Sequence, residues 1–318
     1  MIDVVALGEI LIDFAQMETD AMGYPTLKAQ PGGAPANILA ALAKYGYKTA
    51  MIGKVGDDAF GNLLINTLEE KGIDTTGVIV DDKFFTTLAF VTLDENGDRS
   101  FSFARKPGAD TQLAFDEVKL DMIDQAKVFH FGTLSFTDKV SRDTTLKCLE
   151  YAKAKEKLIS YDPNLRLPLW DSEEQARQAM LKGLEYADVV KISDEEISFL
   201  WNCDEKAGAN IILSTYSAQI VYVTMGEKGC YYATKNYNGY VSSPEGVVVK
   251  DTTGAGDIFG GSAMRCLLQK NIPIDKLTDD DLQQICTFAT AAASLSTTKP
   301  GGLTSVPERE EVERWIGR

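Results

Sequence analysis

The chain has 318 residues, 44% of them hydrophobic, and a formal charge of −15. Its length suits one large domain with an appendage, or two modest domains, and the apolar fraction is ample for a buried core. The strong acidity argues against a nucleic-acid partner, because phosphate contacts need clustered Lys and Arg.

The amino-terminal run "VVALG" (4–8) reads as a buried strand. Asp3, Glu9 and Asp13 interrupt the apolar stretch around it and no basic segment precedes it, so a signal peptide is not expected. Residues 13–30 read as irregular or extended. "APANILAALAKYG" (34–46) spaces its apolar residues at three and four, which predicts a helix stopped by Gly46. A strand at 49–53 and a helix over 58–72 follow. "TTLAFVTLDENGDRSFSFAR" (86–105) holds two alternating runs around Asn96-Gly97, a strong hairpin signal. Strand candidates "AKVFHFG", "KLISYD", "DVVKIS" and "IVYVTMG" then alternate with amphipathic stretches at 139–155, 173–186 and 204–217. Two long helices are expected over 258–270 and 281–298. Such alternation predicts a mainly parallel sheet covered on both faces, with ligands at the carboxyl ends of its strands. Segments 13–30 and 86–105 could form a small sheet over those ends. No repeat or low-complexity linker marks a second domain.

The five cysteines are scattered without CxxC spacing, which fits reduced thiols in a cytoplasmic protein. His130 is the only histidine, so a His-rich zinc site is excluded, as is a Ser-His-Asp triad that does not use it. It sits in an apolar strand, where a structural histidine is expected. No apolar run reaches the ~18 residues a membrane span needs.

The run "DTTGAGDIFGG" (251–261) passes from a β-pattern into a helix through small residues. It lacks the Lys of a Walker loop. Its backbone can approach a ligand closely, and the first-turn N–H groups, unpaired and at the positive end of the dipole, form an anion site. Asp257 falls in that turn. It is either a base that accepts a proton from an attacking alcohol or a complement to the helix dipole worth ~0.3–1 kcal/mol. "QPGGAPAN" (30–37) is a second glycine-rich helix entry, where Gly32 and Gly33 permit close approach and Asn37 could present an amide. Asp13 ends the first strand pattern and could accept sugar hydroxyls. Asp162, Asn164 and Arg166 cluster just past another strand, as turn residues also do.

Together these residues resemble the PfkB, or ribokinase-type, carbohydrate kinases. Both long family motifs are present, "GGAPANILAALAKYGYKTAMIGKVGDDAFG" (32–61) and "DTTGAGDIFGG" (251–261), and the likeness covers essentially the whole chain. "GEILIDF", "GGAPAN", "FSFARKPGAD", "YDPNLR" and "LW" (169–170) are similar to fructokinases in particular. The resemblance implies a three-layer α/β/α sandwich, one kinase domain over 1–318 with lid segments at about 13–30 and 84–106, and ATP-dependent phosphorylation of the 6-hydroxyl of D-fructose. It assigns Asp257 as base and Gly254, Ala255 and Gly256 as the backbone anion hole. Asp13, Gly32, Gly33, Asn37, Arg105 and Arg166 fall on the sugar side. Lys191, Glu196, Thr224, Gly226 and Gly229 fall on the nucleotide side, together with Gly254 and Gly256. Asp251, Thr253, Ser296, Gly301 and Ser305 match positions for a monovalent cation, potassium being expected, and magnesium would arrive with ATP. One departure is "KISDEE" (191–196), where Ser193 stands for the family's Asn and Glu196 is kept. Another sugar kinase, such as one for 2-keto-3-deoxygluconate or a nucleoside, is the alternative, and a catalytically inactive sugar sensor a further one. The strand "LAFVTL" offers an edge through which a homodimer could form.

Overall fold

The computed structural model describes residues 1–93 and 99–317. In chain order, β1 (Ile2–Leu7) leads into β2 (Leu11–Thr19) and β3 (Pro25–Gly32), then α1 (Ala34–Lys44), β4 (Thr49–Gly56), α2 (Ala59–Glu70) and β5 (Ile73–Asp81). Next come β6 (Leu88–Leu93), β7 (Arg99–Ala104), α3 (Leu120–Gln125), β8 (Ala126–Gly132), α4 (Lys139–Ala154), β9 (Leu158–Asp162) and α5 (Glu173–Leu184). After these follow β10 (Val189–Ser193), α6 (Asp194–Trp201), α7 (Glu205–Thr215), β11 (Ile220–Thr224), β12 (Cys230–Thr234) and β13 (Asn238–Val241). Three further helices are α8 (Ala255–Lys270), α9 (Asp279–Ser296) and α10 (Arg309–Ile316).

The main sheet runs β13-β12-β11-β10-β9-β8-β1-β4-β5. Pairing is parallel from β5 through β11, and only β12 runs against its neighbours. Each face carries its own apolar layer. Val4, Ala6, Val128, Val189 and Ile220 pack under α1, α2, α8 and α9. Val5, Leu7, Phe129, Phe131, Val190 and Val221 pack under α3 to α7. Strands buried on both faces must be apolar at every position, which is why their runs read as continuous. The three-layer expectation is met.

A second sheet, β3-β2-β6-β7, is built from residues 11–19, 25–32, 88–93 and 99–104, close to the expected lid segments. Residues 13–30 are therefore extended, as one of the two readings had it, and pair as a hairpin whose register shifts between Gln16 and Thr19. Its turn is closed by Asp20, whose Oδ1 accepts from Met22 N (2.8 Å) and Tyr24 N (2.9 Å). The turn signal at Asn96-Gly97 lies outside the described residues. Phe14 stacks on Phe90 (5.4 Å) and meets Phe60 of α2 edge-on (5.5 Å), which ties this sheet to the main body.

Helix starts follow capping chemistry. Asp58 caps α2 by accepting from Phe60 N and Gly61 N at 2.9 Å. Gly46 (φ 86°) and Gly72 (φ 77°) end α1 and α2 in the left-handed region, as their positions predicted. α8 begins three residues before its apolar run, because Gly254 adopts φ 75° and serves as its N-cap. The glycine loop is thus the first turn of the helix itself. Among the described residues no helix is long and apolar enough to cross a membrane.

Candidate active site

The site lies at the carboxyl ends of the central strands, between the start of α1 and the start of α8. α1 has glycine as its N-cap, with no side chain to satisfy its first N–H groups. Glu9 takes that role from the β1–β2 connection, its Oε1 accepting from Ala34 N at 3.0 Å. Glu9 is buried, and burial pushes its carboxyl up to about 7 against the pull of its own backbone N–H and of Arg105. Its Oε2 has no partner among the described residues. Sequence alone gives Glu9 no role. An acid inside an otherwise apolar run was the available signal.

Gly33 has φ 118°, and a Cβ there would strike the Glu9 carbonyl, so glycine is required at this entry. A Cβ on Gly32 would strike the Asp13 carboxylate. Asp13 lies on β2 opposite Gln30. Burial raises its carboxyl to about 6, with Arg166 pulling it down and Asp251 pushing it up. One turn into α1, Asn37 Nδ2 donates to Asp257 Oδ2 at 2.8 Å, joining residues 220 apart in sequence. Asn37 Oδ1 is buried and has no partner among the described residues. A buried oxygen left so calls for a polar ligand.

Asp257 sits in the first turn of α8 and is 9% exposed. Burial raises its carboxyl to about 6, and the Asp162 charge adds to this. Lys191, the Asn37 hydrogen bond and Arg166 oppose it. Gly254, Ala255 and Gly256 form the amide turn beside it. A Cβ on Gly254 would come within 2.7 Å of Gly302 Cα, so the 251–256 and 301–302 loops pack backbone to backbone. Lys191 on β10 reaches under this turn, and a Cβ on Gly256 would lie 2.9 Å from its Nζ. Lys191 Nζ binds Asp162 Oδ2 at 3.0 Å. Burial works against the ammonium, but Asp162, Glu196 and Asp257 outweigh it and hold its proton affinity above the ordinary value.

Two sequence-nominated residues also make structural bonds. Arg105 is buried, donating to Asp110 Oδ2 (2.6 and 2.8 Å), Thr137 Oγ1 (2.7 Å) and the Leu134 carbonyl (3.0 Å). It braces the end of β7 against the turn after β8. Glu196 accepts from Ser193 N (2.8 Å) and Leu165 N (2.7 Å) with separate oxygens. With Ser193 as N-cap this is a capping box for α6, which also clamps the 162–166 loop. Ser193 thus suits the cap. Glu196→Ala is expected to destabilise the protein by ~2–4 kcal/mol in urea unfolding, with Glu196→Gln in between, because two charge-assisted bonds are lost. A loss under ~0.5 kcal/mol would contradict the clamp.

Arg166 is exposed beyond β9, its charge felt at both Asp13 and Asp257. Thr224 ends β11 beside Ser193 of β10. Gly226 (φ 55°) has open space above it, whereas a Cβ on Gly229 (φ 102°) would strike the Val241 carbonyl. Asp251 accepts from Thr253 N and Gly301 N, both at 2.9 Å. Its backbone N–H donates to the Thr297 carbonyl at 3.0 Å. Ser296 and Ser305, close in sequence to Thr297 and Gly301, are buried and donate to the Ala293 and Gly302 carbonyls. The available donors here are oxygens, one of them a carboxylate, which suits a hard monovalent cation. Among the described residues no cluster of three or more His, Cys, Asp or Glu could hold a metal. His130 is buried against Ser160 (3.1 Å), and burial, then Lys191, drives it down to about 3, so the ring is neutral.

The pattern of the pfkB family carbohydrate kinases matches residues 1–309. The chain is 42% identical to probable fructokinase-4 of Arabidopsis thaliana, over 98% of this chain and 95% of the relative. A fructokinase from Xylella fastidiosa with bound ATP superposes with a TM-score of 0.91 at 31% identity, covering 99% of this chain and 98% of that one. A fructokinase double mutant from Vibrio cholerae O395, in a form binding fructose, ADP and potassium ion, gives 0.87 at 29% identity, covering 99% and 98%. With both family motifs meeting at Asn37 and Asp257, the chain belongs to the PfkB family of carbohydrate kinases.

Proposed function

We propose that the protein is a fructokinase, transferring the γ-phosphoryl group of ATP to the 6-hydroxyl of D-fructose. The observation that carries this is the Asn37–Asp257 hydrogen bond at 2.8 Å, which sets a buried carboxylate between the sugar-side helix and the amide turn of α8. Fructose is held by Asp13, by Asn37 and by the backbone at Gly32 and Gly33, with Arg166 at the rim. Asp257 takes the hydroxyl proton as the oxygen bonds to the γ-phosphorus. The bond from phosphorus to the bridging oxygen breaks, and ADP leaves with its electron pair. The N–H groups of 254–257 face the charge that develops on the phosphoryl oxygens. Lys191 lies beneath that turn. ATP extends over the carboxyl ends of β10 and β11, past Thr224 and the open face of Gly226. Magnesium would be bound with ATP, where it would neutralise phosphate charge. Asp251, Thr253, Ser296, Gly301 and Ser305 would hold potassium and so fix the shape of the 251–254 loop. Closure of the small sheet would exclude water from the transfer.

The test is a steady-state assay with ATP against fructose, ribose, adenosine and 2-keto-3-deoxygluconate. Fructose is expected to give the highest kcat/KM, by ~10²-fold or more, because a site built to bond particular hydroxyls penalises their loss. Preference for the acidic sugar would move the assignment to that class and give Arg166 a carboxylate to bind. Absence of turnover with all four would leave a sugar sensor.

A further inference from the structure

One polar group of side chains interrupts the apolar layer beneath α8. The strands alternate, so Val128, Val189 and Ile220 face α8 as expected. His130 on β8, Ser160 and Asp162 on β9, Lys191 on β10 and Tyr222 on β11 share that face by the same period of two. Register sets Ser160 beside His130 and Tyr222 beside Lys191. Ionic groups in such a layer carry a large desolvation cost, and replacing a buried pair by apolar residues is often neutral or stabilising. Stability alone therefore does not account for the Asp162–Lys191 pair, whose side chains are 2% and 12% exposed.

Its position does. Lys191 Nζ lies 3.0 and 3.3 Å from the two oxygens of Asp162. It also abuts Gly256, where a Cβ would stand only 2.9 Å away. Asp257 is the next residue. We propose that Asp162 and Lys191 form a fixed counter-charge beneath the 254–257 turn that tunes Asp257 as a base, Lys191 favouring its carboxylate and Asp162 its acid. Both are positioning residues, since neither takes the proton. The remaining groups facing Asp257 are few. Asn37 of α1 is neutral and bonds the carboxylate, Arg166 acts from the exposed rim, and Glu196 of α6 acts through Lys191. His130 is neutral. Asp13 of β2 faces Arg166 and Asp251. The pair sums to zero charge, so it adds no net field at distance. Up close its two ends act with opposite sign, and the nearer end decides.

The idea rests on Asp257 being the base, but its first readout needs no turnover. The ¹³C signal of the Asp257 carboxyl, identified by its loss in Asp257→Asn, is titrated in the full-length protein without substrates. Lys191→Met is expected to raise the midpoint by about half a unit or more, and Asp162→Asn, which removes the larger of the two influences, to lower it by about one pH unit or more. The double variant, which replaces the ion pair by neutral groups, is expected to return toward the parent value. Thermal melts identify any single variant that does not fold, and the double variant then supplies the comparison. The acid limb of kcat/KM with fructose should move in the same directions. A purely structural pair would move both singles the same way, or neither by more than ~0.3 unit, and either result overturns the proposal. If the midpoints move as expected but fructose is not phosphorylated, the functional reading fails and the counter-charge stands. If fructose turns over while midpoints and acid limb stay fixed, the counter-charge fails alone.

Discussion

Asp257→Asn should lower kcat with fructose at least ~10²-fold, a size expected for loss of a general base, while ATP binding is largely kept. The substitution suits the question because it changes little else. An amide at 257 retains an oxygen to accept from Asn37 Nδ2, so the 2.8 Å link between α1 and α8 survives. The helix start, built on the left-handed conformation of Gly254, does not involve the side chain. A second consequence has the opposite sign. Burial lifts the Asp257 carboxyl from its ordinary 3.8 to about 6, so the folded protein holds this proton more tightly than the unfolded chain. The stability contributed by the protonated form is present at low pH and is lost as pH rises between those two values. At pH 7.5 the folded state carries a desolvated charge, costing on the order of 3 kcal/mol. Asp257→Asn removes that cost, so the melting temperature should rise by a few degrees while activity collapses. Near-normal turnover would sink the assignment of Asp257 as base. Lost turnover with a lowered melting temperature would point instead to a structural role.

Much of this arrangement is written in local pattern. Alternating apolar strands and helices, glycines past α1 and α2, and the passage from β-pattern to helix at 251–257 are short-range features, and the structure follows them. Two kinds of feature escaped. The first is structure without a strong pattern. β5, β12, β13, α3, α6 and α10 are short or mixed in polarity, and residues 13–30 alternate too weakly to announce a hairpin. The second is partnership at long range. Nothing near Glu196 in sequence reveals that Leu165 N, 31 residues away, occupies one of its oxygens. Nothing near Arg105 in sequence reveals its bonds to Thr137 and Leu134. Motif likeness carries chemistry from residue to residue, but it does not say which polar side chains are already satisfied inside the fold. Glu9 shows the reverse case, a carboxylate whose work at the start of α1 no local rule predicts, because it caps a helix 25 residues away.

Gly302→Ala is expected to lower kcat/KM for the sugar by ~10–10²-fold, although no catalytic side chain is touched. Family likeness singles out Gly301 but not its neighbour. A Cβ on Gly302 would collide with the oxygen, nitrogen and carbon of the Asn37 amide. The backbone cannot yield easily, because Gly302 Cα already packs against Gly254. Asn37 must therefore swing away, breaking its bond to Asp257 and displacing the oxygen proposed to meet the sugar. Gly302 carries no positive φ, so alanine is not strained by conformation, and the effect comes from contact alone. Gly46→Ala makes the contrasting case. Gly46 has φ 86° but nothing within 4 Å of a would-be Cβ, so that change should cost about 1 kcal/mol of stability and leave kcat/KM alone. A double-mutant cycle isolates the route. If Gly302→Ala acts through Asn37, then combining it with Asn37→Ala should cost no more than Asn37→Ala alone. Fully additive losses would mean that Gly302 acts through the loop, and that the contact with the amide is incidental.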